Sequence, residues 1–222
     1  MDRERQGEKG RERPVEAWLR RQAQIVLVPI AAVLDRLGAS PNLLTALGFL
    51  LTGVVAWTLA RGMLQLGGLL LLLVAPFDAL DGALARLTGR QSRFGAFLDS
   101  TVDRFSEAVV FFGLLVHYIG QGARGEVLLI YAAIVGSLMV SYARARAEGL
   151  GLPCKVGLLT RIERVFVMGV GLLLGYPRLA LWVVAVLANF TALQRMAHVW
   201  RVSRVLDGAG ASAPEPPGPG LR

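Results

Sequence analysis

Six blocks of apolar residues dominate this chain, at approximately 42–60, 64–86, 96–119, 127–148, 158–176 and 178–203. Each approaches the ~20 residues that a helix needs to cross the hydrocarbon core of a bilayer. A backbone in lipid must satisfy its polar groups internally, so blocks of this length fold as helices. Of the 222 residues 54% are hydrophobic, and the excess is gathered into these blocks. The fold expected is an all-α integral membrane protein with six transmembrane helices. Residues 14–37 are mixed: Trp18, Ile25, Val28, Ala32 and Leu37 can share one helical face, with Arg20, Arg21, Gln24, Asp35 and Arg36 elsewhere. They read as an amphipathic interfacial helix, bent at Pro29, that precedes the first span. Residues 1–13 are charged and read as a disordered cytosolic lead, 38–206 as the six-helix domain, and 207–222, rich in Pro, Gly and Ala, as a flexible tail. No small-residue cleavage site follows a short apolar core near the start, so a signal peptide is not expected.

Charge placement orients the blocks. With the N-terminus inside, the outer loops hold only Arg61, Arg124 and Arg178, three of the 24 basic residues. This asymmetry places both termini in the cytosol of a multi-pass protein of the cytoplasmic membrane. The formal charge of +8 is then a topology signal with some capacity for anions, and no nucleic acid partner is expected. A single cysteine, Cys154, excludes a disulfide within the chain.

Against this background "FDALDGALARLTGRQSRFGAFLDSTVDRF" is anomalous, because it follows the most apolar run of the chain and carries Asp78, Asp81, Asp99 and Asp103. Asp78 and Asp81 are three apart and Asp99 and Asp103 four apart, so each pair shares a helix face. Gly89 and Gly95 suit a short turn between two helix ends. Four carboxylates converging in a poorly solvated place repel unless a cation neutralises them, and an oxygen-only donor set favours Mg²⁺ or Mn²⁺. Gly82 and Ala85 clear bulk from the adjacent face so that a flat ligand can approach the backbone, and Arg86 can pair with phosphate. Any one of these aspartates could be an ordinary cap or loop residue; two pairs at helical spacing point to a site.

These residues resemble the CDP-alcohol phosphatidyltransferase signature: Asp, two residues, Asp-Gly, two, Ala-Arg, eight, Gly, three, Asp, three, Asp. Asp78, Asp81, Gly82, Ala85, Arg86, Gly95, Asp99 and Asp103 occupy every fixed position. The upstream "SPNLLT" is similar to the family's Pro-Asn-x-x-Thr segment. The resemblance runs from about residue 40 to 205 and implies six spans and a homodimer. It implies that an acceptor hydroxyl attacks the β-phosphorus of a CDP-linked lipid and CMP leaves. It implies that Asp78, Asp81, Asp99 and Asp103 hold two metal ions, with Asp103 also the general base. Thr45, Asp78, Gly82, Ala85 and Arg86 then lie against the cytidine nucleotide.

The acceptor is read from the remaining basic residues. Ser141, Arg144 and Glu148 fall on one helical stripe, which Ser137 extends inward; Lys155, Arg161, Arg164, Arg195, Arg201 and Arg204 follow on the same expected membrane side. Cations gathered there suit an acceptor that itself carries phosphate, although each arginine singly satisfies the positive-inside rule. "SYARARAEGLG" and "KVGLLTRIERV" resemble the prokaryotic phosphatidylinositol-phosphate synthases and their archaeal ether-lipid counterparts, which implies inositol 1-phosphate as acceptor. By that resemblance Arg144, Arg164 and a late basic residue, Arg195 or Arg201, meet its phosphate, and the lipid is CDP-diacylglycerol or CDP-archaeol; the Ser141 hydroxyl and the Glu148 carboxylate suit binding of a polyol. Many relatives carry lysine where Arg144 stands. Glycerol 3-phosphate and free inositol are the rival acceptors.

A metal-ion transporter is the rival outside this chemistry, but it predicts acids deep in several spans, and here they cluster at one end. A scaffold that had lost catalysis would lack a motif residue, and none is missing. His117, His198 and Cys154 read as structural, and Gly171 to Gly175 as a helix-packing face.

Overall fold

The computed structural model describes residues 28–211; Trp18 and Ile25 of the expected interfacial helix lie outside them. Among the described residues the secondary structure is helical. Helix α1 covers residues 28–36, followed by α2 (Pro41–Ala60), α3 (Leu64–Val74), α4 (Phe77–Leu87), α5 (Arg93–Gly120), α6 (Arg124–Gly149), α7 (Arg161–Leu173) and α8 (Pro177–Ala211).

The helix boundaries have local causes. Ser40 caps α2 by accepting from the Leu43 N–H at 3.2 Å, and Pro41 supplies a first residue that needs no N–H partner. Ser92 does the same for α5 through the Gly95 N–H at 2.9 Å. At α7 Thr160 and Glu163 form a capping box, Glu163 accepting from the Thr160 N–H at 2.5 Å. The block expected at 64–86 is one apolar stretch but two helices. Pro76 has no N–H to continue the ladder, so α3 stops at Val74 and α4 restarts at Phe77.

Among the described residues four segments are long and apolar enough to cross a membrane: Pro41–Ala60, Leu64–Leu87, Arg124–Gly149 and Pro177–Asp207. The other two expected spans are of a different kind. The block at 158–176 is helical only over the 13 residues of α7, about 20 Å at 1.5 Å per residue and short of a ~30 Å core. Residues 152–160 ahead of it are not helical. The 28-residue α5 is long enough, but Arg93, Asp99, Asp103, Arg104 and Glu107 crowd its first half.

The described residues divide into two compact units, 28–52 with 74–106, and 53–73 with 107–211. In the first, Ala31, Leu44, Leu80, Ala83 and Leu84 form a buried cluster, with Leu34 and Ala39 packed on it. The buried face of α1 is therefore Ala31 and Leu34. Val28 and Leu37, expected on the apolar face that lies on the membrane, are exposed, and Ala31 and Leu34 take the side turned to the protein.

In the second unit helices meet where side chains are absent. A Cβ on Gly68 would stand 2.6 Å from the Leu173 nitrogen, and one on Gly169 would stand 2.6 Å from Leu72. A Cβ on Gly113 would overlap the Ala56 carbonyl oxygen and lie 2.8 Å from its Cα. Backbone cannot yield as a side chain can, so Gly113→Ala is expected to cost about 3 kcal/mol by overpacking. Gly125→Ala, where nothing lies within 4 Å, is expected to be neutral or stabilising. Thermal unfolding in detergent, run on both variants, checks the contrast. The packing glycine expected at Gly175 instead ends α7, with φ +80°, while Gly171 packs against Ala180.

Candidate active site

The site of the first unit is a cavity of about 560 Å³. Its wall brings together Thr45 on α2, Asp81, Gly82, Ala85 and Arg86 on α4, and Gly95 and Asp99 on α5. These positions are far apart along the chain, yet they are the ones that the motif spacing selected. Asp81 is 4% exposed and accepts a 2.5 Å hydrogen bond from the Thr45 hydroxyl. That bond fixes the carboxylate against α2, and a buried carboxylate demands such a partner. Gly82 gives Arg86 room, since a Cβ there would stand 3.3 Å from the Arg86 Nη1. Gly95 is not part of the turn, as its composition had implied. The turn runs through Gly89, at φ +66°, and Gly95 lies in the first turn of α5. A Cβ on Gly95 would be 3.0 Å from the Ser92 Oγ and 3.4 Å from the Asn42 Oδ1, so this glycine keeps the cavity wall open.

Asp78 and Asp103 are not among the residues lining this cavity. Asp78 approaches Gly48 of α2, whose Cβ would lie 3.8 Å from its Oδ1. The Asp103 carboxylate is 17% exposed and stands 3.8 Å from the Arg104 Nη1; Arg104 also donates to the Ser100 carbonyl. The four aspartates offer only hard oxygen donors, and Asp81 lies within electrostatic reach of both Asp99 and Asp78. That chemistry fits a divalent cation. Among the described residues no three His, Cys, Asp or Glu side chains are gathered tightly enough to form a ready-made ligand sphere.

Asn42, Arg90, Gln91, Ser92 and Arg93 also line the cavity and were missed as site residues. Asn42 stands in the Pro-Asn-x-x-Thr segment, so its signal was present. Arg90, Gln91 and Ser92 belong to a short connection without periodicity and Arg93 opens α5, and only the folded turn brings them to the wall.

The basic residues of the second unit fall into two classes. Arg144 is half-exposed and pairs with Glu148 one turn away at 2.8 Å, and Arg201 is exposed. Ser141 is half-buried and Ser137 fully buried. Arg164 and Arg195 are 1% and 4% exposed. Arg164 holds Glu107 of α5 bidentately, Nε to Oε1 at 2.6 Å and Nη2 to Oε2 at 2.7 Å, and Nη1 donates to the Leu159 carbonyl at 3.2 Å. Arg195 donates from Nε to the Val156 carbonyl at 2.9 Å and from Nη1 to the Val140 carbonyl at 2.5 Å. Arg195 is also within electrostatic reach of Arg144, Arg164 and Cys154. Residues serving only the positive-inside rule sit in solvent at the interface; two guanidinium groups withdrawn from water do not fit that account.

His117 and Cys154 have structural surroundings. The His117 Nε2 is 3.1 Å from the Gln121 amide nitrogen, and Cys154 is fully buried.

The model of the CDP-alcohol phosphatidyltransferase family matches residues 39–196. The chain belongs to that family. It is therefore an enzyme, a CDP-alcohol phosphatidyltransferase, and the cavity around Asp81 lies on the family's signature residues. An archaetidylinositol phosphate synthase of Pyrococcus horikoshii is 39% identical over 168 residues, covering 75% of this chain and 87% of that protein. A phosphatidylinositol phosphate synthase of Streptomyces avermitilis is 39% identical over 204 residues, covering 84% and 83%. Crystal structures of the Mycobacterium tuberculosis phosphatidylinositol phosphate synthase superpose with a TM-score of 0.73 for the form with CDP-DAG bound, at 34% identity over 79% of this chain and 94% of that one. The form in complex with manganese and citrate gives 0.74 at 35% identity, covering 79% and 89%. The phosphatidyltransferase is thus similar to enzymes whose names carry a phosphorylated inositol product, and the family uses divalent metals.

Proposed function

We propose that this enzyme transfers a phosphatidyl-type group from a CDP-linked lipid, CDP-diacylglycerol or CDP-archaeol, to inositol 1-phosphate, releasing CMP and forming a phosphatidylinositol phosphate. One observation carries the choice of acceptor: Arg164, paired with Glu107, and Arg195 are buried guanidinium groups, and Arg195 lies within electrostatic reach of Arg164, Arg144 and Glu148. Such a group is suited to a phosphate monoester and has no use for an uncharged polyol. The names of the relatives support the same acceptor. Ser141 is assigned to its hydroxyls, and Arg201 to the approach of the anion.

In this reading Thr45, Asp78, Gly82, Ala85 and Arg86 bind the nucleotide, with Arg86 pairing to phosphate oxygens. Asp103 takes the proton from the acceptor hydroxyl as its oxygen bonds to the β-phosphorus and the bond to CMP breaks. Asp78, Asp81, Asp99 and Asp103 would hold two Mg²⁺ or Mn²⁺ ions, whose chemistry when bound is neutralisation of the diphosphate and of the leaving CMP. We place the enzyme as a homodimer in the cytoplasmic membrane. It has six crossings, an interfacial helix over 14–37, and both termini and the active site facing the cytosol. The charge asymmetry of the loops supports that orientation.

The test is CMP release by the detergent-purified enzyme given CDP-diacylglycerol and Mg²⁺. Inositol 1-phosphate, glycerol 3-phosphate and free inositol are offered separately, each with and without chelator. Release is expected with inositol 1-phosphate alone, and chelator is expected to abolish it. Release only with glycerol 3-phosphate would keep the cationic site and change the acceptor. Release with free inositol would overturn the role of the arginines.

A further inference from the structure

The connection between α6 and α7 is not a slack loop. Its backbone is held at three points by one face of α8. The Thr191 hydroxyl accepts from the Leu159 N–H at 3.2 Å, the Arg195 Nε donates to the Val156 carbonyl at 2.9 Å, and the His198 Nε2 lies 3.1 Å from the Pro153 carbonyl oxygen. Positions 191, 195 and 198 follow one stripe of a helix. Their partners 159, 156 and 153 run in the opposite direction at steps of three. A carbonyl can only accept, so His198 carries its hydrogen on Nε2.

The geometry of this strap is constrained. Seven residues of α8 advance about 10 Å, whereas six extended residues would advance about 20 Å. The strap must therefore be shortened to keep register with its latches. Gly157 sits at φ +144° beside Thr191, and a Cβ there would come 2.7 Å from the Thr191 Cγ2. The strap also carries the carbonyls that hold both buried arginines, Val156 for Arg195 and Leu159 for Arg164. Its position therefore contributes to the separation of those two guanidinium groups, beside Glu107 for Arg164 and the Val140 carbonyl for Arg195.

We infer that Thr191 and His198 are positioning residues for the phosphorylated acceptor, acting by clamping the 153–159 strap so that Arg164 and Arg195 present a fixed pair of cations. The inference rests on the acceptor reading above. Neither residue touches the acceptor. Their effect is on how well two cations already in place match one phosphate, a requirement of distance that charge alone does not meet.

The experiment measures CMP release as a function of inositol 1-phosphate and, separately, of CDP-diacylglycerol. The wild type is compared with His198→Ala, His198→Gln, Thr191→Val and Thr191→Ser, and thermal unfolding of each is followed. Loss of one latch in His198→Ala is expected to raise the acceptor KM roughly three- to ten-fold, with the CDP-diacylglycerol KM unchanged. His198→Gln keeps a donor for the Pro153 carbonyl and should restore the acceptor KM. Thr191→Ser keeps the acceptor oxygen for Leu159 and should exceed Thr191→Val in acceptor affinity even if both unfold at lower temperature. Equal changes in both KM values, or no rescue by glutamine, would overturn the inference and leave the acceptor reading standing. A wild type that ignores inositol 1-phosphate and glycerol 3-phosphate alike would overturn both together.

Discussion

Asp103→Asn is expected to lower kcat by about a thousand-fold or more, in the upper part of the range that a general base contributes. The amide is nearly isosteric with the carboxylate but cannot take a proton at neutral pH. CDP-lipid binding in the presence of metal should survive in part, because Asp81 and Asp99 remain at the cavity and Asp81 remains tied to Thr45. Equilibrium binding of CDP-diacylglycerol beside CMP release separates the two roles. Near-normal turnover would remove Asp103 as the base. Loss of binding in parallel with turnover would make it a ligand only.

The second large effect is expected at Arg164. Its 1% exposure and bidentate hold on Glu107 make it half of a buried ion pair. Arg164→Met leaves the Glu107 carboxylate buried without its partner, which should destabilise the protein by about 3–5 kcal/mol. Acceptor-dependent CMP release should be lost as well. The double variant Arg164→Met with Glu107→Leu removes both charges and should recover most of the stability while turnover stays absent. Thermal unfolding and CMP release on the single and double variants check this. If turnover returned with stability, Arg164 would be a strut of the fold, and the phosphate-binding role would pass to Arg144 and Arg195.

That Asp81 and Asp99 share a cavity was legible because helical spacing is a local property, while Asp78 and Asp103 do not line it. Asp78 with Asp81 and Asp99 with Asp103 announce shared faces three and four residues apart, and the resemblance to a family signature completed the set. Arg164 and Arg195 were named by resemblance, but their burial was not legible. Charged residues near span ends read as interfacial, and nothing local shows that Glu107, 57 residues from Arg164, waits across the packing to receive it. That the block at 158–176 is helical only over Arg161–Leu173 was not legible for a related reason. Apolar composition reports that a segment avoids water; it does not report that residues 152–160 would give up helix to have their backbone held by Thr191, Arg195 and His198. Which apolar residues of α1 turn to the protein was not legible: Val28, Ala31, Ala32 and Leu34 are all apolar, and contact with Leu44, Leu80 and Leu84 decides that Ala31 and Leu34 turn inward.

The sequence by itself determined the helical class, the membrane habitat and the chemistry of the motif. Each depends on residues within a few turns of one another, where hydropathy, capping and periodicity act directly. Tertiary structure alone decided which arginines leave water, what neutralises them, how the α6–α7 connection is latched and which turn residues reach the cavity. Those outcomes rest on partners dozens of residues apart, and the free energy of a buried pair or a latched carbonyl exists only once both ends have been brought together.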